Sequence, residues 1–380
     1  MQRLYTFPMR IALVHELLTM KGGAERVLRT LGDIFPDAPI YTLLYNRDTF
    51  DHWFPKDRIH TPRYPAPYNL LPAPYRYNHH FYLSQFPYAV EQWDFSAFDL
   101  VISSSSAFVH GIITNSQPKH LCYVHSPARY LWDRTHDVLE QRKKGVFGTA
   151  KYAYASRLFH KLRLWDAESA DRPDKLLAAS REVQTRIKKY WRRESDVVHP
   201  PMDDFWLQQN PTTHNLIPRT YYLIVSTLVP YKRIEIAIEA CNQRELPLKI
   251  AGTGPHRKHL QHLAGPTIEL LGQKTDEELR ELYMHAIATL FPGEEDFGLV
   301  PLESMACGTP VIAYKGGGVL ETVVEGQTGT FFEESTAESL AKTLQEFSPL
   351  TVDPETCRAR ALEFSREQFE QNIRSAIASL

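Results

Sequence analysis

Pro292-Gly293-Glu294-Glu295-Asp296-Phe297-Gly298-Leu299-Val300-Pro301-Leu302-Glu303-Ser304-Met305-Ala306-Cys307-Gly308-Thr309-Pro310-Val311-Ile312 is the stretch on which the fold turns. The apolar run 288–291 before it reads as a buried strand, and Gly293 and Gly298 free the backbone for a tight loop. Pro301 suits the first position of a helix, Gly308 suits its end, and 310–313 reads as the next strand. Strand, loop, helix and strand in this order make a parallel crossover unit. The same reading puts Glu295 in the loop and Glu303 in the first helical turn. Between them the amides of Phe297, Gly298 and Leu299 approach a helix N-terminus, a place suited to phosphate. Two carboxylates flanking an anion site make sense if they grip hydroxyl-rich groups on either side; alternatively Glu303 only complements the helix dipole.

Outward from this unit the alternation continues. Strands are expected at 221–226, 248–251 and 268–271, with helices at 235–242 and 276–286. Upstream, 10–15 is another buried strand, followed by Gly22-Gly23 and a helix over 24–35 whose Val27, Leu28, Leu31 and Phe35 share a face. Further strands are expected at 99–103, 121–125 and 175–179. The pattern lapses between 196 and 218, where Pro200, Pro201, Pro211 and Pro218 fall. The expected organisation is α/β throughout: a Rossmann-like domain over 1–200, a linker over 201–218, a second Rossmann-like domain over 219–353, and C-terminal helices over 354–380 that pack back on the first domain. Two doubly wound sheets in tandem imply a ligand cleft between the domains at the strand ends.

Composition excludes several classes. The 380 residues carry 43 basic and 45 acidic side chains, with 43% hydrophobic and 23% charged residues, so neither disorder nor a basic nucleic-acid coat fits. The balance hides a split: residues 1–200 hold 28 basic and 20 acidic side chains, and the remainder reverse that sign. Cys122, Cys241, Cys307 and Cys357 are far apart, which argues against a disulfide framework and points to a reducing compartment. Residues 1–8 lack the apolar run of a signal peptide and read either as a dispensable extension or as a misplaced start before Met9. The longest stretch free of charged residues, 100–118, is too polar to span a bilayer. From Gln141 to Trp165 there are seven basic residues and no acidic one, with Ala155, Leu158, Phe159, Leu162 and Trp165 at helical spacing. Such a helix either lies on an anionic membrane surface or buries its stripe in the domain core. The Pro- and Tyr-rich stretch 61–88, with Arg63, Arg76, His79 and His80, either binds a lipid-linked glycan or packs as a rigid loop.

The spacing Glu295-x7-Glu303 resembles the signature of retaining glycosyltransferases of family 4, which have the two-domain GT-B fold. The resemblance extends through Gly22-Gly23-Ala24-Glu25-Arg26, His125-Ser126-Pro127-Ala128-Arg129, Leu228-Val229-Pro230-Tyr231-Lys232-Arg233, Gly252-Thr253-Gly254-Pro255 and Gly316-Gly317-Gly318 with Glu321. It is nearest to bacterial O-antigen and exopolysaccharide enzymes, many of which use GDP-mannose. It implies that Glu295 contacts the donor sugar, that Glu303 contacts the nucleotide ribose, and that Gly22 and Gly23 let the backbone approach diphosphate and acceptor. It also implies that His125 contacts the transferred sugar and that Lys232 neutralises the departing diphosphate, a charge that a fixed cation stabilises. Lys274 and Asp276, in the loop after 268–271, are the candidates for the nucleotide base, although Asp276 serves equally as an N-cap.

The chain departs from the pattern at Thr227, where the family usually has an arginine that forks onto the diphosphate. Arg233 is the candidate substitute. Ser106 and His110 stand where close relatives often carry His and Lys. No Asp-x-Asp triplet and no His/Cys cluster of ligand spacing occurs, so neither a metal nor another cofactor is expected. The implied activity is transfer of a hexose, mannose favoured, from a nucleotide diphosphate sugar to a lipid-linked glycan acceptor in surface polysaccharide synthesis. The implied location is cytoplasmic, with peripheral contact at the inner face of the membrane, and no nucleic acid is expected as a partner. The alternatives are a nucleotide-binding pseudoenzyme weakened by Thr227, or another GT-B sugar-nucleotide enzyme such as an epimerase.

Overall fold

The computed structural model describes residues 9–50, 52–66, 68–72, 75–143, 147–208 and 218–380. The expected extension 1–8, Lys144 of the basic segment and residues 209–217 of the expected linker lie outside these residues. The chain divides into two compact units: Met1–Val198 with Glu370–Leu380, and His199–Phe369.

The first unit is built on seven strands: β1 (Ile11–Leu18), β2 (Ile40–Tyr45), β3 (Ile59–His60), β4 (Leu100–Ser105), β5 (Lys119–Val124), β6 (Lys175–Ala178) and β7 (Asp196–Val197). They pair in the order β3-β2-β1-β4-β5-β6-β7, all parallel. The second has six: β8 (Tyr221–Val225), β9 (Leu248–Ala251), β10 (Ile268–Gly272), β11 (Ala286–Phe291), β12 (Val311–Tyr314) and β13 (Gly329–Phe332), in the order β10-β9-β8-β11-β12-β13. Both units therefore share the doubly wound order 3-2-1-4-5-6. In each, the direction of winding reverses between the first and fourth strands, β1/β4 and β8/β11, where the sheet opens a crevice at the strand C-termini. The central strands are apolar runs because helices cover both faces; Ala12, Leu13, Val14, Ile224 and Leu290 are all buried.

Several expectations are corrected. The expected linker contains a short helix, Asp204–Leu207, and Met202 and Trp206 are buried in the core of the second unit. The prolines suggested a break, but the apolar side chains between them have a core to enter. The tail does not return as a whole to the first unit. The helix Pro354–Leu362 buries Cys357 and Ala361 in the second unit's core, and only 370–380 belong to the first. The helix after β11 spans Leu299–Ala306, so Pro301 is its third residue and Glu303 lies in the second turn. Proline is tolerated there because the first four N–H groups of a helix have no partner to lose.

The basic helix, Gly148–Ser169, uses its stripe internally: Phe159 and Leu162 are buried, and Ala155, Leu158 and Trp165 pack against the same core. That stripe is therefore not available to lipid. Lys151, Arg157 and Lys161 stay exposed. No helix among the described residues is long and apolar enough to cross a membrane.

Candidate functional site

In the second unit the site starts at the crevice between β8 and β11. Residues 292–298 leave the end of β11 and pass close to the turn Pro230–Lys232 that follows β8. A Cβ on Gly293 would stand 2.9 Å from the Lys232 Cα and carbonyl oxygen, so only glycine permits this approach. The result is an ion pair between Lys232 Nζ and Glu295 Oε1, two side chains that are 15% and 22% exposed. Lys232 is thus neither a solvated surface lysine nor part of the helix that follows. Arg233 separates the turn from the helix Ile234–Gln243 with a left-handed backbone, φ 54°.

The carboxylate loop is braced from its other side by residues 316–318. The Gly318 amide donates to the Glu295 carbonyl at 2.9 Å. A Cβ at Gly318 would lie 2.3 Å from the Asp296 carbonyl oxygen and 2.4 Å from the Phe297 Cα. The glycine triplet is therefore packed against the loop that carries Glu295, which spacing alone does not reveal.

Gly298 caps the helix Leu299–Ala306, leaving the amides of Leu299 and its neighbours at the helix start as expected. Glu303 is buried, and its Oε2 accepts from the Tyr283 hydroxyl at 3.1 Å. Burial, reinforced by the Glu303 charge, pushes the Tyr283 phenol well above its usual range, so it stays a hydrogen-bond donor. Tyr283 was not identified from sequence; nothing in the spacing of twenty residues announces the contact. Glu303 does not complement the dipole of the first turn, because it lies beyond it.

Lys274 pairs with Glu278 at 2.9 Å. The N-cap of Asp276–Met284 is Thr275, which closes a reciprocal capping box with Glu278; Asp276 is the first helical residue rather than the cap. Arg233 Nε lies 3.4 Å from Glu235 and its guanidinium reaches the Ser335 carbonyl at 3.5 Å. Its partners are thus on the helix side of the turn. Thr227 is exposed. Outside the expected set, His199 Nε2 meets Glu321 Oε2 at 2.9 Å and stacks on Phe297.

In the first unit the equivalent crevice lies between β1 and β4. Register places His15 beside Ser104. The Ser104 hydroxyl lies 3.0 Å from His15 Nδ1 and 2.8 Å from His125 Nε2, and His15 Nε2 is 3.6 Å from Glu25 Oε1. One hydroxyl carries one proton, so Ser104 donates to one imidazole and accepts from the other, and the two histidine tautomers are coupled. Burial, with the neighbouring His15, pushes His125 down to about 3, so near neutral pH it is an uncharged imidazole suited to hydrogen-bonding a hydroxyl. Gly22 caps the helix Gly23–Ile34 that carries Glu25, which brings the glycine pair to the same strand end. His15, Ser104 and Glu25 were missed as site residues. His15, the last residue of the run 10–15 expected as a buried strand, was the available signal, although β1 continues to Leu18.

Beside this crevice Glu16, also buried, accepts through Oε1 from the Ser105 hydroxyl and from the amides of residues 106–109, including Ala107 at 2.7 Å and Val109 at 3.0 Å. This carboxylate closes the chain after β4 as a bound anion would. His110 is buried, held by the Asp166 carbonyl at 3.2 Å and the Ser169 hydroxyl at 3.0 Å, and is pushed down to about 3 by burial. It is a core residue here. Ser106 follows β4, its amide among those bound to Glu16.

Residues 213–362 match the family model described as Glycosyl transferases group 1, which places such a domain in the second unit. The chain is 31% identical over 175 residues to the putative colanic acid biosynthesis glycosyltransferase WcaL of Salmonella typhimurium, covering 41% of this chain and 43% of that protein. It is 30% identical over 166 residues to the GDP-mannose-dependent alpha-(1-6)-phosphatidylinositol monomannoside mannosyltransferase of Mycolicibacterium smegmatis, covering 38% and 42%. The chain spans about half the length of the curated relatives it matches. Among solved structures, Anabaena Alr3699/HepE in complex with UDP and glucose superimposes with a TM-score of 0.69 at 17% identity, over 98% of this chain and 100% of that one. The likeness establishes a shared fold of two parallel-sheet α/β units, as the resemblance implied.

Proposed function

We propose that this chain is a retaining glycosyltransferase that moves a hexose, mannose favoured, from a nucleotide diphosphate sugar to a lipid-linked glycan acceptor during surface polysaccharide synthesis. The observation that carries the reading is the Lys232–Glu295 pair at the β8/β11 crevice, inside the segment that matches the glycosyl transferases group 1 model. A lysine there stabilises charge building on a departing diphosphate, and a carboxylate beside it accepts hydrogen bonds from sugar hydroxyls. When donor enters, the lysine exchanges the carboxylate for phosphate and Glu295 is released toward the sugar. The bond from the anomeric carbon to the phosphate oxygen breaks, and a bond to the acceptor oxygen forms on the same face. The acceptor proton passes to the leaving phosphate. His125, neutral and held through Ser104, hydrogen-bonds the transferred sugar; Glu303, steadied by Tyr283, holds the ribose. GDP-mannose is the favoured donor because a relative named for GDP-mannose dependence is among those matched; the HepE complexes favour UDP-glucose as the comparison donor.

The reading assigns no metal, because the sequence has no Asp-x-Asp triplet. It places the protein on the cytoplasmic face of a membrane, through the exposed Lys151, Arg157 and Lys161 rather than through the buried stripe of their helix. The test is a panel of nucleotide sugars with the product anomer read by NMR. Transfer with retention is expected, and Glu295→Gln and Lys232→Ala each lower it by about 10²-fold or more without unfolding the protein. Wild-type rates in both variants would remove the site assignment. A second reading, a nucleotide-binding protein without turnover, is favoured by one observation: Thr227 supplies no charge and Arg233 is engaged with Glu235. It predicts nucleotide binding with neither transfer nor donor hydrolysis.

A further inference from the structure

A cavity of about 490 Å³ lies in the first unit against the C-terminal end of β2, one strand from His15 and the Gly22 turn. Residues 43–45 of β2 form one wall, and residues 61–64, Tyr68, Arg76, Tyr77 and Tyr82 line the rest. Its chemistry is uneven. Tyr64, Tyr68, Tyr77 and Tyr82 line it together with Arg63 and Arg76, and among the described residues no acidic side chain does. Two of the phenols are already committed, Tyr64 to the Leu43 carbonyl at 2.9 Å and Tyr82 to the Tyr68 carbonyl at 3.3 Å. Tyr82 is buried and packs against Tyr64, Tyr68 and Phe86, so Tyr64 and Tyr82 form the floor of the cavity, while Tyr68 and Tyr77 stay partly exposed. Arg76 spends Nε on the Leu71 carbonyl at 3.3 Å. Arg63 has no hydrogen bond or ion pair among the described residues.

A volume of this size admits one or two sugar rings, within the range of small-molecule pockets. Aromatic faces suit the apolar face of a pyranose, and guanidinium groups without a carboxylate nearby suit an oxyanion, which each can fork. We infer that this cavity is an acceptor subsite for a pyranose that carries an oxyanion, a phosphate or a carboxylate, with Arg63 and Arg76 on the anion and Tyr68 and Tyr77 on the ring. The inference deepens the transferase reading and rests on it for the word acceptor; the ligand chemistry rests on the cavity alone. It also gives the Tyr- and Pro-rich segment a role.

The test measures binding to the full chain by calorimetry, with α-glucose 1-phosphate, glucuronic acid and methyl α-glucoside as probes. The two anionic sugars are expected to bind at least tenfold more tightly than the neutral glycoside, and the tighter of the two identifies the source of the charge. Arg63→Gln and Arg76→Lys are each expected to weaken the anionic probe by about tenfold, whereas Lys232→Ala leaves that binding in place, which separates this cavity from the diphosphate site. Arg63 is exposed and makes no bond among the described residues, so its replacement does not endanger folding. Equal affinity for charged and neutral sugars, or indifference to both arginine variants, overturns the inference. If the arginines matter for binding while the donor panel yields no transfer, the subsite stands and the transferase reading falls; transfer with arginine-independent binding does the reverse.

Discussion

Replacing Gly318 with alanine tests whether the carboxylate loop is positioned by the glycine triplet. The added Cβ would meet two backbone atoms, the Asp296 carbonyl oxygen at 2.3 Å and the Phe297 Cα at 2.4 Å, where ordinary contact begins near 3.4 Å. Backbone cannot rotate aside as a side-chain tip can, so one of the two loops must shift by about 1 Å. The shift falls on the residues next to Glu295 and strains the 2.9 Å bond from the Gly318 amide to its carbonyl. A displacement of about 1 Å at a positioning element costs on the order of 10²-fold in rate, and overpacking of this kind about 1–3 kcal/mol in stability. The assay is initial-rate transfer from the donor identified by the panel, with kcat and KM determined separately and thermal melting measured in parallel. The expected result is a folded protein with kcat/KM reduced about 10²-fold. A folded variant within threefold of wild type would refute the claim that Gly318 sets the loop.

Thr227→Arg is expected to tighten nucleotide diphosphate binding about tenfold, because it restores a charged fork beside Lys232; unchanged affinity across the donor panel would mean that another group already fills that role. Glu16→Ala removes the acceptor of four main-chain amides and should destabilise the first unit by about 3 kcal/mol, whereas Glu16→Gln, which keeps an oxygen in place, should cost about 1 kcal/mol. Amide exchange at residues 106–109 and urea unfolding read the difference, and equal effects would disprove the anion-like role. Asp166 is buried and held up to about 7 mainly by that burial, against hydrogen bonds to its Oδ2 from the Trp132 and Trp191 indoles. Its folded-state pKa is raised, so the stability tied to its proton is complete below pH about 4 and lost as pH rises to about 7. His110, pushed down to about 3, works in the opposite direction, adding stability from about pH 3 up to 6.5. Asp166→Asn should therefore steepen the rise of stability between about pH 4 and 7; an unaltered slope would rule out the protonated carboxyl.

The legible parts of the fold were those in which one segment carries its own signal. β8, β9 and β11 are apolar runs because both faces of a parallel strand are covered, and each was found within two residues. The edge strands β3 and β7 have two residues each, too few for any pattern, and were missed. β2 was missed as well, although its residues are largely buried. Trp206 shows why the linker was misplaced: proline punctuation is local, whereas its burial depends on the core of the second unit. At the site, motif positions brought Lys232 and Glu295 to notice separately, but their pairing depends on the adjacency of β8 and β11. His15 and Ser104 are 89 residues apart and meet only because β1 and β4 are neighbours in register. Contacts that arise from strand order are invisible to spacing along the chain.

The return of residues 370–380 to the first unit has a consequence for biosynthesis. In the order in which the ribosome makes the chain, the second unit is an insertion inside the first. The core of the first unit lacks Ile373, which is fully buried, until the whole of the second has been made. The Arg374 guanidinium over the Phe35 ring and the bond from Lys175 to Ser379 likewise join this segment to residues made before the second unit. Vectorial folding favours N-terminal units that complete themselves first. Here the N-terminal unit waits with an unfilled site, so a message truncated before codon 370 would yield an intact second unit attached to a first one that chaperones and proteases can recognise as unfinished.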